Sequence, residues 1–155
     1  MTRTVAREIA VQLSFALTES NAEPSALIED FFAEEHYLSL SAENDLFSEL
    51  PDERQMDYIT RLLTSLAENR NEIDGFIDRY SRGWKLERIS RTALAVLRCA
   101  LCEILYMDDI PNSAAINEAV ELDKGYDEPE TVSFVNGVLG GFMRGEFGTE
   151  VQAQT

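Results

Sequence analysis

Over most of the chain from residue 3 to residue 142 apolar side chains recur every three or four positions, residues 37–52 excepted, and no segment alternates convincingly with a period of two. That spacing lays one apolar stripe along a helix, where strands would need alternation. Such stripes are buried by packing helix on helix. In residues 3–19 the stripe is Val5, Ile9, Leu13 and Ala16, widened by Ala6, Ala10 and Leu17, and Ser20 and Asn21 interrupt it. Pro24 and Ser25 open a second helix that buries Leu27, Ile28, Phe31 and Phe32. Proline is tolerated there because the first N–H groups of a helix lack partners. Residues 37–52 scatter apolar residues among turn formers and read as a loop with one helical turn. Residues 53–71 recover the stripe with Met56, Ile59, Leu62, Leu63 and Leu66. A shorter helix over 72–81 follows, carried by Ile73, Phe76, Ile77 and Tyr80 and closed by Ser81, Arg82 and Gly83.

The second half is more sharply punctuated. Ser90 is a candidate N-cap for a helix burying Leu94, Leu97, Leu101, Ile104 and Leu105, since its hydroxyl can accept from an early backbone N–H. The helix stops before Ile110 and Pro111, because a residue preceding proline disfavours helical backbone. Asn112 or Ser113 caps the next helix, with Ile116, Ala119 and Val120 inward and Gly125 at its end. Thr131 caps the last, whose apolar residues are Phe134, Val135, Val138, Leu139 and Phe142. Gly140 and Gly141 weaken it, and Gly148 starts a polar tail. The reading is all-α: one domain of about seven helices over 1–148 and a tail at 149–155.

Charge and motifs bound the function. The 155 residues hold 29 Asp plus Glu against 13 Lys plus Arg, a net of −16. The summed field repels nucleic acid at long range. Screening over about 8 Å at physiological salt still permits a local basic patch. The N-terminal segment sets an Arg and a Glu within its apolar pattern, unlike a secretory leader. No apolar run approaches the roughly 20 residues of a membrane span, so the expected location is cytoplasmic with no membrane partner. Cys99 and Cys102 form a C-x-x-C in a helical, apolar segment. Zinc wants four ligands, and the one histidine, His36, is distant in sequence. Both cysteines are expected buried and reduced. His36 fits a solvated or loop-packing role, and the acidic pairs Glu34, Glu35 and Asp108, Asp109 fit solvated faces. No zinc-protease, phosphate-loop or nucleophile-elbow motif occurs. The chain is therefore expected to be no enzyme, with no cofactor, no metal and no catalytic residue.

Several words stand in register from residue 84 to 139: W84-K-L-E-R-I-S, V96-L-R-C-A-L-C-E-I-L-Y, I110-P, A115-I-N-E-A-V-E-L-D-K and F134-V-N-G-V-L. Their order and gaps closely resemble the NusB family. Ala6-Arg7-Glu8 and Ala10-Val11-Gln12 fit as well, while residues 20–80 match in helical plan more than in wording. The resemblance implies an all-helical fold of two small bundles. It also implies binding of boxA-type single-stranded RNA together with ribosomal protein NusE. That assembly joins the RNA polymerase antitermination complex and supports transcription of ribosomal RNA operons.

Single-stranded RNA is held by cations on phosphate and by aromatic rings under bases. Arg3 and Arg7, four residues apart, share a helix face. The resemblance places Phe15, Tyr126 and Phe134 at RNA-facing aromatic positions, and Lys124 beside Tyr126 is within reach of a phosphate. Phe15 and Phe134 also fit the core. Glu130 aligns with an acid that accepts a base amino proton; it equally suits a helix start, where acids favour the positive dipole end. Asn117, Glu118, Asn136 and Gly137 are poor helix-interior choices and suggest polar contacts or a close backbone approach. Arg98 and Glu103 read as structural.

This chain departs from the family pattern on the RNA side. Only Arg3 and Arg7 stand where an arginine-rich cluster is usual, and Asp123 adds a negative charge beside Lys124. Each cation missing from a phosphate takes about 0.7 off the salt slope on single strands. The expectation is weak RNA binding alone, strengthened by NusE. The alternative is a NusB-fold interaction module that dimerises or binds NusE, with weak or no RNA binding.

Overall fold

The computed structural model describes residues 2–33, 37, 39–40, 49–84 and 88–148. His36, Glu34 and Glu35, most of the 37–52 segment and the 149–155 tail lie outside the described residues. Among the described residues the regular structure is helical, without a strand. The chain divides into two compact units, Met1–Ala67 and Glu68–Thr155.

In the first unit, α1 (Arg3–Glu19) starts where the Thr2 hydroxyl accepts from the Val5 N–H at 3.1 Å. Its buried residues are Ala6, Ile9, Ala10, Leu13 and Leu17, and also Arg7, Val11 and Ser14. The second set is a parallel stripe at i, i+4 and i+7, so a wider arc of the helix is covered than one apolar stripe implies. Helix α2 (Pro24–Phe31) begins on its proline as expected and packs on α1. Phe31, Phe32 and Tyr37 form an aromatic cluster with ring centroids 4.9–6.1 Å apart.

The expected helices at 53–71 and 72–81 are one element, α3 (Glu53–Tyr80), bent at Asn69, whose φ of −124° and ψ of 19° leave helical geometry. The six helices bounded here therefore stand for the seven expected. Pro and Gly, the usual breakers, are absent around the bend, so sequence alone offered only a change of pattern there.

The second unit holds the end of α3 with α4 (Arg91–Tyr106), α5 (Asn112–Lys124) and α6 (Pro129–Phe147). Ser90 caps α4 as expected, accepting from the Ala93 N–H at 3.0 Å. Helices α5 and α6 begin slightly earlier than expected, on Asn112 and Pro129, with no side-chain cap bond. Helix α4 is the core element: Ala95 to Ile104 are buried without interruption, and both α5 and α6 pack on it. Leu97, Leu101, Ile73, Ile77, Val135, Leu139 and Phe142 are almost wholly excluded from water. Burying each side chain of this size stabilises by about 1.5–3 kcal/mol. Cys99 and Cys102 are buried free thiols within this core, and burial pushes the Cys102 thiol well above the usual range.

Arg98 reaches into the same layer. Its guanidinium makes a two-pronged bond to Asp74, at 2.8 and 2.9 Å, with the Arg98 side chain 10% exposed. The fork geometry suits two parallel bonds to one carboxylate. Arg98 is therefore structural, as expected. Glu103 is buried too.

The close backbone approach expected at Gly137 is found elsewhere. A Cβ on Gly137 would meet nothing within 4 Å. A Cβ on Gly145 would lie 2.6 Å from Cζ of Tyr80, and one on Gly141 3.4 Å from its Cδ1. Tyr80 thus lies across α6 over two glycines one helical turn apart. Its hydroxyl also hydrogen-bonds Glu146, which Arg79 holds at 2.9 Å. Asn117 and Asn136 are exposed.

Candidate nucleic-acid interface

The expected site residues fall into both units, and each group has its own geometry. In the first unit Arg3 is exposed in the first turn of α1. Arg7 is only 3% exposed, and its guanidinium carbon sits 5.7 Å from the centre of the Tyr58 ring. A guanidinium over an aromatic face is attracted by the ring quadrupole. Arg3 and Arg7 therefore differ sharply in solvent access despite sharing a helix face. The signal for this was the stripe of Arg7, Val11 and Ser14, which an apolar pattern alone does not reveal. Phe15 is half-buried in the last turns of α1.

In the second unit Lys124 ends α5. Its ammonium pairs with Glu121 at 2.6 Å, both side chains more than half exposed. Such exposed pairs contribute under about 1 kcal/mol, so an incoming phosphate can compete for the lysine. Tyr126 lies in the turn after Gly125 and is 49% exposed. Glu130, exposed, and Phe134, half-buried, sit four residues apart on α6 and share a face. Glu130 occupies the first turn, where the helix dipole favours it.

Asp123 is placed differently from the expectation. It does not add surface charge beside Lys124: its side chain is fully buried, and neither carboxylate oxygen meets a donor. The group acting on it is the carboxyl of Asp127. Two carboxyl groups can hydrogen-bond only if one holds a proton. Burial first, and then the bond and charge of Asp127, push Asp123 up to about 8. At neutral pH it is largely uncharged. Asp127 is fastened in turn by the Ser90 hydroxyl, which donates to Oδ2 at 3.1 Å. The α4 cap and the turn carrying Tyr126 are thereby tied together through one serine.

Sequence reasoning did not single out the neighbouring cleft. It holds about 270 Å³ and is lined by the turn at 81–84 and by Phe134, Gly137, Val138 and Arg144 of α6. Trp84, 42% exposed, lies 4.9 Å from Phe134, the rings tilted by 39°. Trp84 had served only as a family word; its exposure depends on the turn's backbone, which composition does not encode.

The geometry can be set beside known proteins. The NusB family model matches residues 4–144. The chain belongs to the NusB family. A transcription antitermination protein NusB of Alkaliphilus oremlandii is 39% identical over 146 residues, covering 94% of this chain and 96% of that protein. Another of Acetivibrio thermocellus is 41% identical over 140 residues, covering 90% of this chain and 87% of its own. Among solved structures, NusB of T. maritima superposes with a TM-score of 0.73 at 26% identity, covering 93% of this chain and 92% of that one. The solution structure of NusB from Aquifex aeolicus matches in fold, with a TM-score of 0.68 at 20% identity, covering 94% and 90%. NusB membership makes this chain one of a group of transcription antitermination factors, and the all-helical reading agrees with both NusB structures.

Proposed function

We propose that this chain binds boxA-type nascent RNA together with ribosomal protein NusE, and so helps RNA polymerase transcribe ribosomal RNA operons. The observation that carries the reading is the aromatic surface of the second unit, where Tyr126 is half exposed and Phe134 shares a helix face with Glu130. Rings of this kind stack on bases, and a carboxylate accepts base amino protons. The neutral state of Asp123 supports it further, because the charge expected to weaken Lys124 is largely absent near pH 7. The role is regulatory, with no reaction assigned.

Arg3 is the exposed cation of the α1 pair, Arg7 being covered. RNA affinity of the chain alone is accordingly low, and NusE raises it. Fluorescence titration with boxA-type RNA, with and without NusE, tests this. Absence of binding in both conditions at low salt refutes it. The burial of Arg7 favours a second reading, a protein-interaction module that dimerises or binds NusE without RNA. Capture of NusE unchanged by ribonuclease, with no RNA binding, would establish that reading instead.

A further inference from the structure

The turn that closes α3 is built at some cost. Arg82 has a φ of 47° and Gly83 a φ of 91°. The first is left-handed backbone at a residue carrying a Cβ, which is strained and seldom retained without a use. The buried Ser81 pins the turn: its hydroxyl lies 3.0 Å from the Asp78 carbonyl and 2.8 Å from the Trp84 carbonyl. The Trp84 N–H donates back to the Ser81 carbonyl at 3.2 Å. A strained loop fixed at both ends thus sets Trp84 beside Phe134 while leaving the indole 42% exposed.

Three observations say what the cleft under this turn accepts. Arg82 and Arg144 both line it, and neither has an ion pair among the described residues. That is notable in a chain with 29 acids and 13 bases. The nearby acid Glu146 is already held by Arg79 and Tyr80. The third is Gly137, inside α6, where glycine weakens a helix. No protein atom lies within 4 Å of where its Cβ would be, so internal packing does not require the glycine. Its bare backbone keeps the cleft open. At about 270 Å³ the space is just below the usual small-ligand range of about 300–1,000 Å³.

We propose that this cleft is a one-nucleotide subsite for single-stranded RNA: a base stacks on the Trp84 and Phe134 rings over Gly137, and the adjoining phosphate lies between Arg82 and Arg144. The proposal rests on the RNA-binding reading above and adds to it Arg82, Trp84, Gly137 and Arg144. Two guanidiniums act locally despite the net charge of −16, because distant acids are screened beyond about 8 Å.

Trp84 is the single tryptophan of the chain, so its emission reports on this cleft alone. Labelled boxA-type RNA is titrated into the full chain at low salt while RNA anisotropy and Trp84 emission are followed together. The expected result is quenching that saturates along the anisotropy curve. Trp84→Ala weakens binding roughly 5- to 150-fold, the usual worth of one stacked base, while Trp84→Phe retains most of it. Arg82→Ser with Arg144→Ser lowers the salt slope by about 0.7, the share of the one phosphate the two guanidiniums neutralise. Gly137→Leu, which strengthens the helix and fills the cleft, blocks binding with the melting curve intact. If anisotropy rises while Trp84 emission stays constant and these variants bind like the parent chain, the subsite is refuted and RNA binding stands. If the parent chain binds no RNA in any condition, both fall.

Discussion

Replacing Asp123 by Asn should change how stability depends on pH, with little effect below about pH 4. The folded chain holds the Asp123 proton up to about pH 8, against an ordinary value of 3.8. Between those values the folded state binds a proton that the unfolded state has released. Rising pH therefore favours unfolding across that window, and the contribution levels off above it. The displacement spans about four units at about 1.4 kcal/mol each, so the full effect has a ceiling of about 5–6 kcal/mol. From pH 5 to pH 7 it amounts to about 3 kcal/mol at most. Asn keeps the shape and offers Asp127 a donor at every pH. The two proteins should be similarly stable near about pH 4, below which both states hold the proton, and the variant should gain steadily as pH rises from there. Urea unfolding of both chains at half-unit intervals measures this, and taking their difference removes the background of the other acids. A difference constant to within about 0.5 kcal/mol from pH 5 to 7.5 would refute the buried, protonated carboxyl.

Other perturbations probe the rest of the second unit. Arg98→Ala leaves Asp74 without its two-pronged partner and should cost about 3 kcal/mol in urea unfolding; this is the low end of the range because Arg70 stays 3.8 Å away. A loss under 1 kcal/mol would mean that the pair is dispensable. Gly145→Ala drives a methyl into the Tyr80 ring and should cost about 1–3 kcal/mol. In a Tyr80→Ala background the same change should be neutral or stabilising, and an unchanged penalty there would contradict the contact. Cys99 and Cys102 should resist a thiol reagent in the native chain and react together once it unfolds. Rapid native labelling of either would show that α4 is less closed than described.

What could be read beforehand follows from what a linear pattern encodes. Helices α1, α4 and α6 announced themselves because their apolar residues repeat at helical spacing, and Ser90 capped where a serine before such a stripe should. The break between the helices expected at 53–71 and 72–81 is present as the kink at Asn69, although no proline or glycine marks it; only the change in apolar pattern gave it away, a few residues late. Arg7 and Asp123 were misplaced for a shared reason: charged residues were assumed to face water, whereas a ring receives one and a second carboxyl the other. Exposed aromatics such as Tyr126 followed from a glycine turn. The cleft at Trp84 required the left-handed backbone of Arg82, a tertiary outcome that no residue spacing foretells.

The position of Phe142 in the chain has a consequence for biosynthesis. Its ring is wholly buried, against Phe76 at 5.1 Å and Tyr80 at 6.0 Å. Phe76 and Tyr80 leave the ribosome more than sixty residues earlier and must wait, uncovered, for α6. The second unit cannot close while it is being made, and its apolar faces stay open to chaperones until the last helix emerges. A stop codon between Ala67 and Phe142 should therefore leave the second unit open and yield a product prone to degradation.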